Sequence, residues 1–197
     1  MKYITSLSFV TALVLSCSLQ AQIFFNNGAV IYTAPQSIIQ VNGGIENNTS
    51  IVPGNIDHNG TMNVTVNSTF PNPGDVILSA TSTWQGDGIT NVEGDWVNNA
   101  IFQQDLSDVR LMASNNPQQI TGSVVTTFHI LRCQGTGTGL NRIKTQMLDA
   151  NVDNLLELND RELATNLFTM SVLNPTITAV TNTLPSMGQE GFVSSLA

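Results

Sequence analysis

Hydrophobic and polar residues alternate in short runs along the chain. In the run TMNVTVN (61–67), Met62, Val64 and Val66 occupy every second position, with Asn and Thr between them. The run NLFTMSVL (166–173) alternates in the same way. A period of two residues indicates a β-strand with one buried and one solvated face. We therefore expect both runs to form strands.

Similar runs recur from residue 29 onwards, and segments rich in Gly, Asn and Pro separate them. The other clear runs are 29–32, 37–41, 75–80, 89–97, 108–113, 124–131, 142–148 and 154–158. Short strands with turn residues between them predict an all-β domain. The stretch LELNDRELATNLF (156–168) combines leucines with charges, but its Asn, Asp and Thr content disfavours a helix.

Two all-β architectures are compatible with these runs. A β-sandwich of the immunoglobulin type uses about seven strands, fewer than the runs visible here. A solenoid of stacked coils repeats small turn residues and suits a neutral surface rich in Asn and Thr. We therefore predict a right-handed parallel β-helix, or solenoid-like domain, over residues 22–197, with a β-sandwich as the alternative.

Residues 1–21 have the pattern of a secretory signal peptide. Lys2 precedes an uncharged apolar run (4–15), and small and polar residues follow it up to Ala21. The run is shorter than the about 20 residues that a membrane-spanning helix needs. We expect cleavage after Ala21, no transmembrane segment in the remaining chain, and a secreted or cell-surface location. Alternatively, VLSC (14–17) resembles the lipobox of bacterial lipoproteins, in which Cys17 would be acylated.

Composition narrows the class of partner. The chain has 14 acidic and 6 basic residues, a formal net charge of -8, and only 10% charged residues. An average globular chain contains about 25%. An acidic surface with few Lys and Arg disfavours nucleic acids and anionic membranes. Removal of residues 1–21 would leave Cys133 as the single cysteine, so stability would come from the core and from backbone pairing rather than from disulfides.

His129 and Cys133 raise the question of a nucleophilic site. In a regular strand they share one face with Leu131, while Phe128 and Ile130 point inward on the other face. Their side chains would then be about 13 Å apart, too far for a proton relay between histidine and cysteine. We therefore expect a structural strand here, and no catalytic residues.

The sequence contains two kinds of potential metal ligand, histidines and carboxylates. The chain has 2 histidines, His58 and His129, which are distant in sequence, so zinc is not expected. Asp87, Glu93 and Asp95 surround glycines in GDGITNVEGDW and are weak calcium candidates, because hard cations prefer oxygen ligands. Their spacing matches neither the EF-hand nor the nonapeptide calcium repeat, which favours solvated turn carboxylates. We expect no metal and no cofactor.

Two pairs of residues are candidates for a role on carbohydrate, one for cleavage and one for binding. Asp105 and Asp108 are near enough in sequence to suggest an acid and a base for a glycosidic bond, but any acidic chain offers such pairs. Trp84 and Trp96 are the candidate ligand-binding residues, because an indole can stack on a sugar. Packing of both rings in a hydrophobic core is the alternative.

Several short motifs follow one another between residues 89 and 195. The residues that carry them are Gly94, Asp95, Trp96, Asn98 and Asn99, then Gln119, Ile120 and Gly122, then Thr126 and Phe128, and finally Leu156, Leu158, Leu163 and Thr165. Their order resembles the repeat-bearing region of large secreted surface proteins of the Bacteroidota. The resemblance covers a little over half the chain and is one of pattern rather than of a catalytic motif.

This resemblance implies an exported protein of the type IX secretion system with a structural or adhesive role at the cell surface. Relatives usually carry a C-terminal sorting domain, which this sequence does not show, so we expect a domain truncated at its C-terminus. The expected partners are the export machinery and an extracellular polysaccharide or surface protein, and no nucleic acid. The alternative function is a carbohydrate-active β-helix enzyme or a carbohydrate-binding module.

Overall fold

The computed structural model describes residues 23–49, 52–67, 73–115, 117–182 and 191–195. The expected signal peptide, with Cys17 and Ala21, lies outside the described residues. Among the described residues, no helix is both long enough and apolar enough to cross a membrane.

Nearly all regular structure is β-strand. The strands are β1 (Phe24–Asn27), β2 (Val30–Thr33), β3 (Ile38–Asn42), β4 (Gly44–Asn48), β5 (Asn55–His58), β6 (Thr61–Thr65), β7 (Asp75–Leu78), β8 (Thr83–Gln85), β9 (Ile89–Val92), β10 (Trp96–Asn98), β11 (Ile101–Phe102), β12 (Asp108–Leu111), β13 (Gln118–Gly122), β14 (Thr126–Cys133), β15 (Ile143–Gln146), β16 (Ala150–Glu157), β17 (Glu162–Asn166), β18 (Met170–Val172), β19 (Val180–Thr181) and β20 (Phe192–Ser195). A short 3-10 helix (Gly139–Arg142) precedes β15.

The strands stack into three parallel sheets that run along a solenoid of about 6 turns. Sheet A has the order β1-β4-β7-β10-β13-β15-β17-β20, sheet B the order β11-β8-β5-β2, and sheet C the order β18-β16-β14-β12-β9-β6-β3, with β19 also pairing β16. Each strand pairs with its counterpart in the next coil, so the backbone donors and acceptors of one coil are satisfied by its neighbours. The prediction of a parallel solenoid is confirmed.

Apolar residues stack in register inside the solenoid. In sheet A, Ile45 pairs with Val76, Val76 with Trp96, and Trp96 with Ile120. Each of these residues is buried. The intervals between them in sequence are unequal, whereas the pairing keeps them aligned from coil to coil. A narrow core with inward side chains from every coil follows from this stacking.

Two runs predicted as single strands are interrupted by turns. The run 89–97 forms β9 and β10, with Glu93–Asp95 between them, where the chain passes from sheet C to sheet A. The run 166–173 contains the end of β17 and then β18, with Asn166 at a φ of 54°. In both runs, the alternation of apolar and polar residues extends through a corner of the coil. Alternation at a corner does not indicate a strand.

Candidate functional site

A β-bulge interrupts the pairing of β14 with β16. Phe128 pairs with Val152, but Ile130 pairs with Leu155, so β16 holds one extra residue opposite His129. The extra residue changes which side chains face inward, a known effect of bulges. Phe128 and Leu131 are buried while Ile130 is only partly buried, so the prediction that Ile130 points inward was wrong.

Polar side chains form a continuous row on the outer face of sheet C. The parallel register aligns Gln40, Asn63, Asn91, Arg110, Arg132 and Glu157 across six successive strands. Adjacent strands in a sheet lie about 4.8 Å apart, so the row presents one polar group at each such interval along the solenoid. A regular ladder of hydrogen-bonding groups is the result.

A shallow groove of about 320 Å³ follows this row. It is lined by Gln40, Asn63, Val64, Thr65, Asn91, Glu93, Arg110, Met112 and Gln134. We call it the sheet C groove. Its volume lies at the lower end of the range of ligand-binding sites, about 300–1,000 Å³. Five of the nine lining residues carry amide or hydroxyl groups, and the partly buried Met112 adds an apolar contact.

Hydrogen bonds between neighbouring coils order the floor of the sheet C groove. The amide of Asn91 donates to Oδ1 of Asn63 at 2.7 Å. The amide of Gln40 donates to the Thr65 hydroxyl at 3.2 Å. Oε2 of Glu93 accepts the backbone N–H of Val66 at 2.8 Å. These contacts fix the side chains without using all of their donors and acceptors.

Charged side chains beside the groove neutralise one another. Asp108, which is 8% exposed, accepts from Arg110 at 2.8 Å and from Arg132 at 3.0 Å. Arg132 also forms an ion pair with Glu157. Asp105 lies apart from this network and accepts the N–H of Gly86 at 2.8 Å. Asp105 and Asp108 thus serve different internal partners, an arrangement unlike a pair of carboxylates poised on either side of one bond.

His129 belongs to a polar cluster on the outer side of the bulge. Its Nδ1 is 2.8 Å from Oδ1 of Asp153, and its Nε2 is 3.1 Å from the amide of Asn154. Gln104 donates to the second oxygen of Asp153 at 3.0 Å. The contacts of both imidazole nitrogens are explained by the two residues that form the bulge. The position of His129 is therefore explained by these hydrogen bonds, and no nucleophile is among its partners in the cluster.

The proposed calcium candidates are used at three separate places. Oδ1 of Asp87 accepts the N–H of Leu106 at 3.1 Å, and Oδ1 of Asp95 accepts the N–H of Gln119 at 2.7 Å. Oε2 of Glu93 accepts the backbone N–H of Val66. Within the part of the chain that the structure describes, no three His, Cys, Asp or Glu side chains converge as a metal site. Each carboxylate instead holds the backbone of another coil.

Asp75 and Asp95 occupy equivalent corners in successive coils. Oδ1 of Asp75 accepts the N–H of Asp95 at 2.7 Å, just as Asp95 accepts from Gln119. Burial raises the pKa of Asp75 to about 6, partly offset by that hydrogen bond. Burial likewise raises the pKa of Asp95. Each coil thus gains a corner hydrogen bond while it retains a partly desolvated carboxyl group.

Trp84 and Trp96 lie inside the solenoid rather than on its surface. They are 2% and 0% exposed, and their rings meet edge to face with centroids 6.2 Å apart. Trp96 also packs on Phe102 at 4.9 Å and on Phe128 at 5.6 Å. Neither indole presents a face to solvent, so neither can stack on a sugar in this structure. Packing in an aromatic core accounts for both.

Cys133 lies in the core near the buried side chains of Lys144 and Arg161. It is 0% exposed, and burial raises the pKa of its thiol to about 12. Lys144, also 0% exposed, donates to the carbonyl of Ala113 and to Oε1 of Gln118, both at 2.9 Å. Burial lowers the pKa of Lys144 to about 8. The thiol is thus sequestered and protonated, the opposite of an activated nucleophile.

His58 is enclosed by backbone from the next coil. Its Nδ1 is 2.7 Å from the Thr33 hydroxyl, and its Nε2 is 3.0 Å from the carbonyl of Ile89. A Cβ on Gly88 would lie 2.5 Å from Cδ2 of His58, so glycine allows the close approach of the ring. Burial lowers the pKa of His58, an effect that the Ile89 carbonyl partly opposes. The histidine is a core residue.

Comparison of the chain with protein-family models, with curated proteins and with solved structures finds no match.

The sequence did not predict that the residues of the sheet C groove form a candidate site. Asn63 and Asn91 stand in runs that predict strands, and alternation places both on the solvated face. What the sequence could not supply is their alignment, since the segments that separate the strands have unequal lengths. Register across coils, rather than residue type, creates the groove.

Proposed function

We propose that this chain is a structural or adhesive domain of an exported cell-surface protein, without catalytic activity. The observation that carries the proposal is the stack of parallel coils with a polar ladder on the outer face of sheet C. Such a stack holds itself together by strand pairing and a narrow core, and needs no disulfide. It therefore suits an extracellular rod that presents one face to a partner.

The use of acidic side chains supports a role other than catalysis. Asp87, Asp95 and Asp105 accept backbone N–H groups from other coils, and Asp108 binds two arginines. A glycosidase acid and base would need to face one substrate bond from positions free of such internal bonds. These carboxylates are instead components of the coil corners and of the outer face of sheet C.

Export rests on the N-terminal pattern and on the resemblance to type IX cargo. We propose that the chain crosses the inner membrane by means of residues 1–21 and reaches the cell surface. Acylation at Cys17 is the alternative mode of attachment. The proposed partners are the export machinery and an extracellular polysaccharide or surface protein.

A surface-labelling experiment tests the proposal. The full chain is produced in a bacterium with an intact type IX system, and intact cells are probed with an antibody against the solenoid and treated with a protease. We expect labelling and protease access in intact cells, and stronger adhesion of these cells to coated surfaces than of cells lacking the chain. Retention inside unbroken cells, or equal adhesion, would contradict the proposal.

A further inference from the structure

We infer that the sheet C groove binds an extended, uncharged oligosaccharide that lies across the strands, along the solenoid axis. This inference rests on the proposed adhesive function and specifies its ligand. The groove draws its lining from β3, β6, β9, β12 and the end of β14. With strands about 4.8 Å apart, these five positions span about 19 Å. That length suits a segment of a sugar polymer rather than a single small molecule.

The unused hydrogen-bonding groups of the groove match hydroxyl groups. Among the described residues, Nδ2 of Asn63 and Oδ1 of Asn91 make no hydrogen bond, and neither does the side-chain amide of Gln134. Donors and acceptors are therefore mixed along the same row. A sugar hydroxyl both donates and accepts, so adjacent hydroxyls can use such a mixed row, whereas an anionic group accepts only.

The charges at the groove favour an uncharged polymer. Arg110 is the cation of the lining, and its Nε and Nη2 both donate to Asp108, at 3.1 and 2.8 Å. Glu93 adds a negative charge to the same groove. With the cation already paired and the chain at a net charge of -8, an acidic polymer would meet net repulsion.

The mode of binding follows from the absence of an aromatic ring among the residues that line the groove. Because Trp84 and Trp96 are buried, the ligand is held by hydrogen bonds and by contact with Met112 rather than by stacking. Hydrogen bonds to solvated groups exchange with water and give modest net free energies. Affinity therefore rises with the number of sugar units that occupy the ladder, as expected of an adhesive surface.

Affinity electrophoresis of the purified chain tests the inference. Native gels contain neutral polymers (β-glucan, mannan, xylan or galactan) or anionic polymers (polygalacturonate or alginate). We expect retardation by at least one neutral polymer, and we expect Gln134→Ala and Asn91→Ala each to weaken it about threefold to tenfold, the loss of one or two hydrogen bonds. Gln119→Ala on the outer face of sheet A is the matched control and should bind as the unchanged chain does.

Thermal melting accompanies each variant. Asn91→Ala removes the bond to Asn63 and could lower stability, whereas Gln134→Ala removes no internal hydrogen bond and keeps the test independent of folding. Retardation by no polymer, retardation only by anionic polymers, or equal retardation of all variants would each overturn the inference. If cells carrying the groove variants still adhere, the inference about the groove is contradicted but the proposed adhesive function is not. If cells carrying the unchanged chain do not adhere, the proposed adhesive function is contradicted, whatever the groove binds.

Discussion

Cys133 and His129 face opposite sides of β14, although only three residues separate them. In a regular strand, residues four apart share a face, which is why the sequence predicted a common face for these two. Next to the bulge in β16, His129 and Ile130 are both only partly buried, so the alternation of β14 shifts by one residue. Cys133 consequently enters the core, while His129 binds Asp153 on the outside. The two side chains are therefore separated by the strand itself and not only by distance along it.

The buried thiol of Cys133 should be inert in the native protein. Its burial raises the pKa to about 12, so the thiolate that reacts with alkylating agents is scarce at pH 8. We expect iodoacetamide to label Cys133 only after unfolding in guanidinium chloride, as counted by intact mass. Rapid labelling of the folded chain would show that the core opens at β14. Labelling of a surface cysteine introduced as Ser123→Cys is the positive control, because Ser123 is exposed.

Substitution of Trp96 should destabilise the solenoid without an effect on ligands. Trp96→Ala leaves a cavity against Phe102 and Phe128 and removes a hydrogen bond to the Thr126 hydroxyl. We expect a loss of about 3–5 kcal/mol in the free energy of unfolding, measured by urea denaturation. Tyr32→Ala, at an exposed position, should change it by less than about 0.5 kcal/mol.

Polymer retardation of a Trp96→Phe variant tests whether Trp96 packs in the core or binds sugar. Trp96→Phe retains most of the buried surface, and we expect it to fold and to be retarded by the same polymers as the unchanged chain. A folded Trp96→Phe variant that loses retardation would restore the hypothesis that this indole binds sugar. The burial of Trp96 makes that outcome contrary to the structure.

The fold class could be predicted because alternation and turn residues are local properties. The run at β6 alternates cleanly, and its inward residues Met62 and Val64 are buried as expected. Strands such as β4 (GIENN) were missed because their composition is polar and they are stabilised by pairing with the coils on either side. Even the inward Asn47 is fully buried, bonded to the carbonyl of Thr83.

The groove could not be predicted because it depends on alignment between coils. Asn63 pairs directly with Asn91, and Asn91 with Arg110, although the first two residues are farther apart in sequence than the second two. No local pattern states how many residues a corner absorbs. Likewise, no local pattern predicts that Lys144 points inward. In β15 the buried positions are Lys144 and Gln146, which are polar, so alternation of polarity does not mark the buried face.

Protonation of His58 should weaken the fold in mild acid. Burial lowers its folded pKa below the unfolded value of about 6.5, so the unfolded chain binds the proton more tightly. The free energy of unfolding should therefore decrease as the pH falls below about 6.5. The measurement compares urea midpoints of the unchanged chain and of His58→Gln between pH 7.5 and 5. The difference between the two should shrink toward low pH, and a constant difference would contradict the assignment.

The N-terminal segment should be processed on export. Its apolar run and Ala21 predict cleavage after that residue, so the exported chain should begin at Gln22. Intact mass and N-terminal sequencing of the exported product measure this directly. If Cys17 is acylated instead, the product begins at Cys17 and incorporates labelled palmitate, and Cys17→Ser abolishes that label. If the chain is cleaved after Ala21, Cys17→Ser leaves the cleavage unaffected.

Neutralisation of Asp75 should stabilise the solenoid above pH 6. The folded pKa of about 6 exceeds the value of about 3.8 for an exposed carboxyl, so the stability linked to its protonated form is present at low pH and is lost as the pH rises through 6. Asp75→Asn keeps the oxygen that accepts from Asp95 and removes the desolvated charge. At pH 7.5 we expect a gain of about 1 kcal/mol, less than the shift alone implies because solvent screens this half-exposed group.

The same substitution should have little effect near pH 4, where Asp75 is already protonated in the folded chain. Asp87→Asn is the matched control, since Asp87 also accepts a backbone N–H, from Leu106, but is exposed. Urea denaturation at pH 4 and 7.5 gives the four comparisons that are needed. A gain of equal size at both pH values, or the same gain in Asp87→Asn, would assign the effect to the amide rather than to the removal of a buried charge.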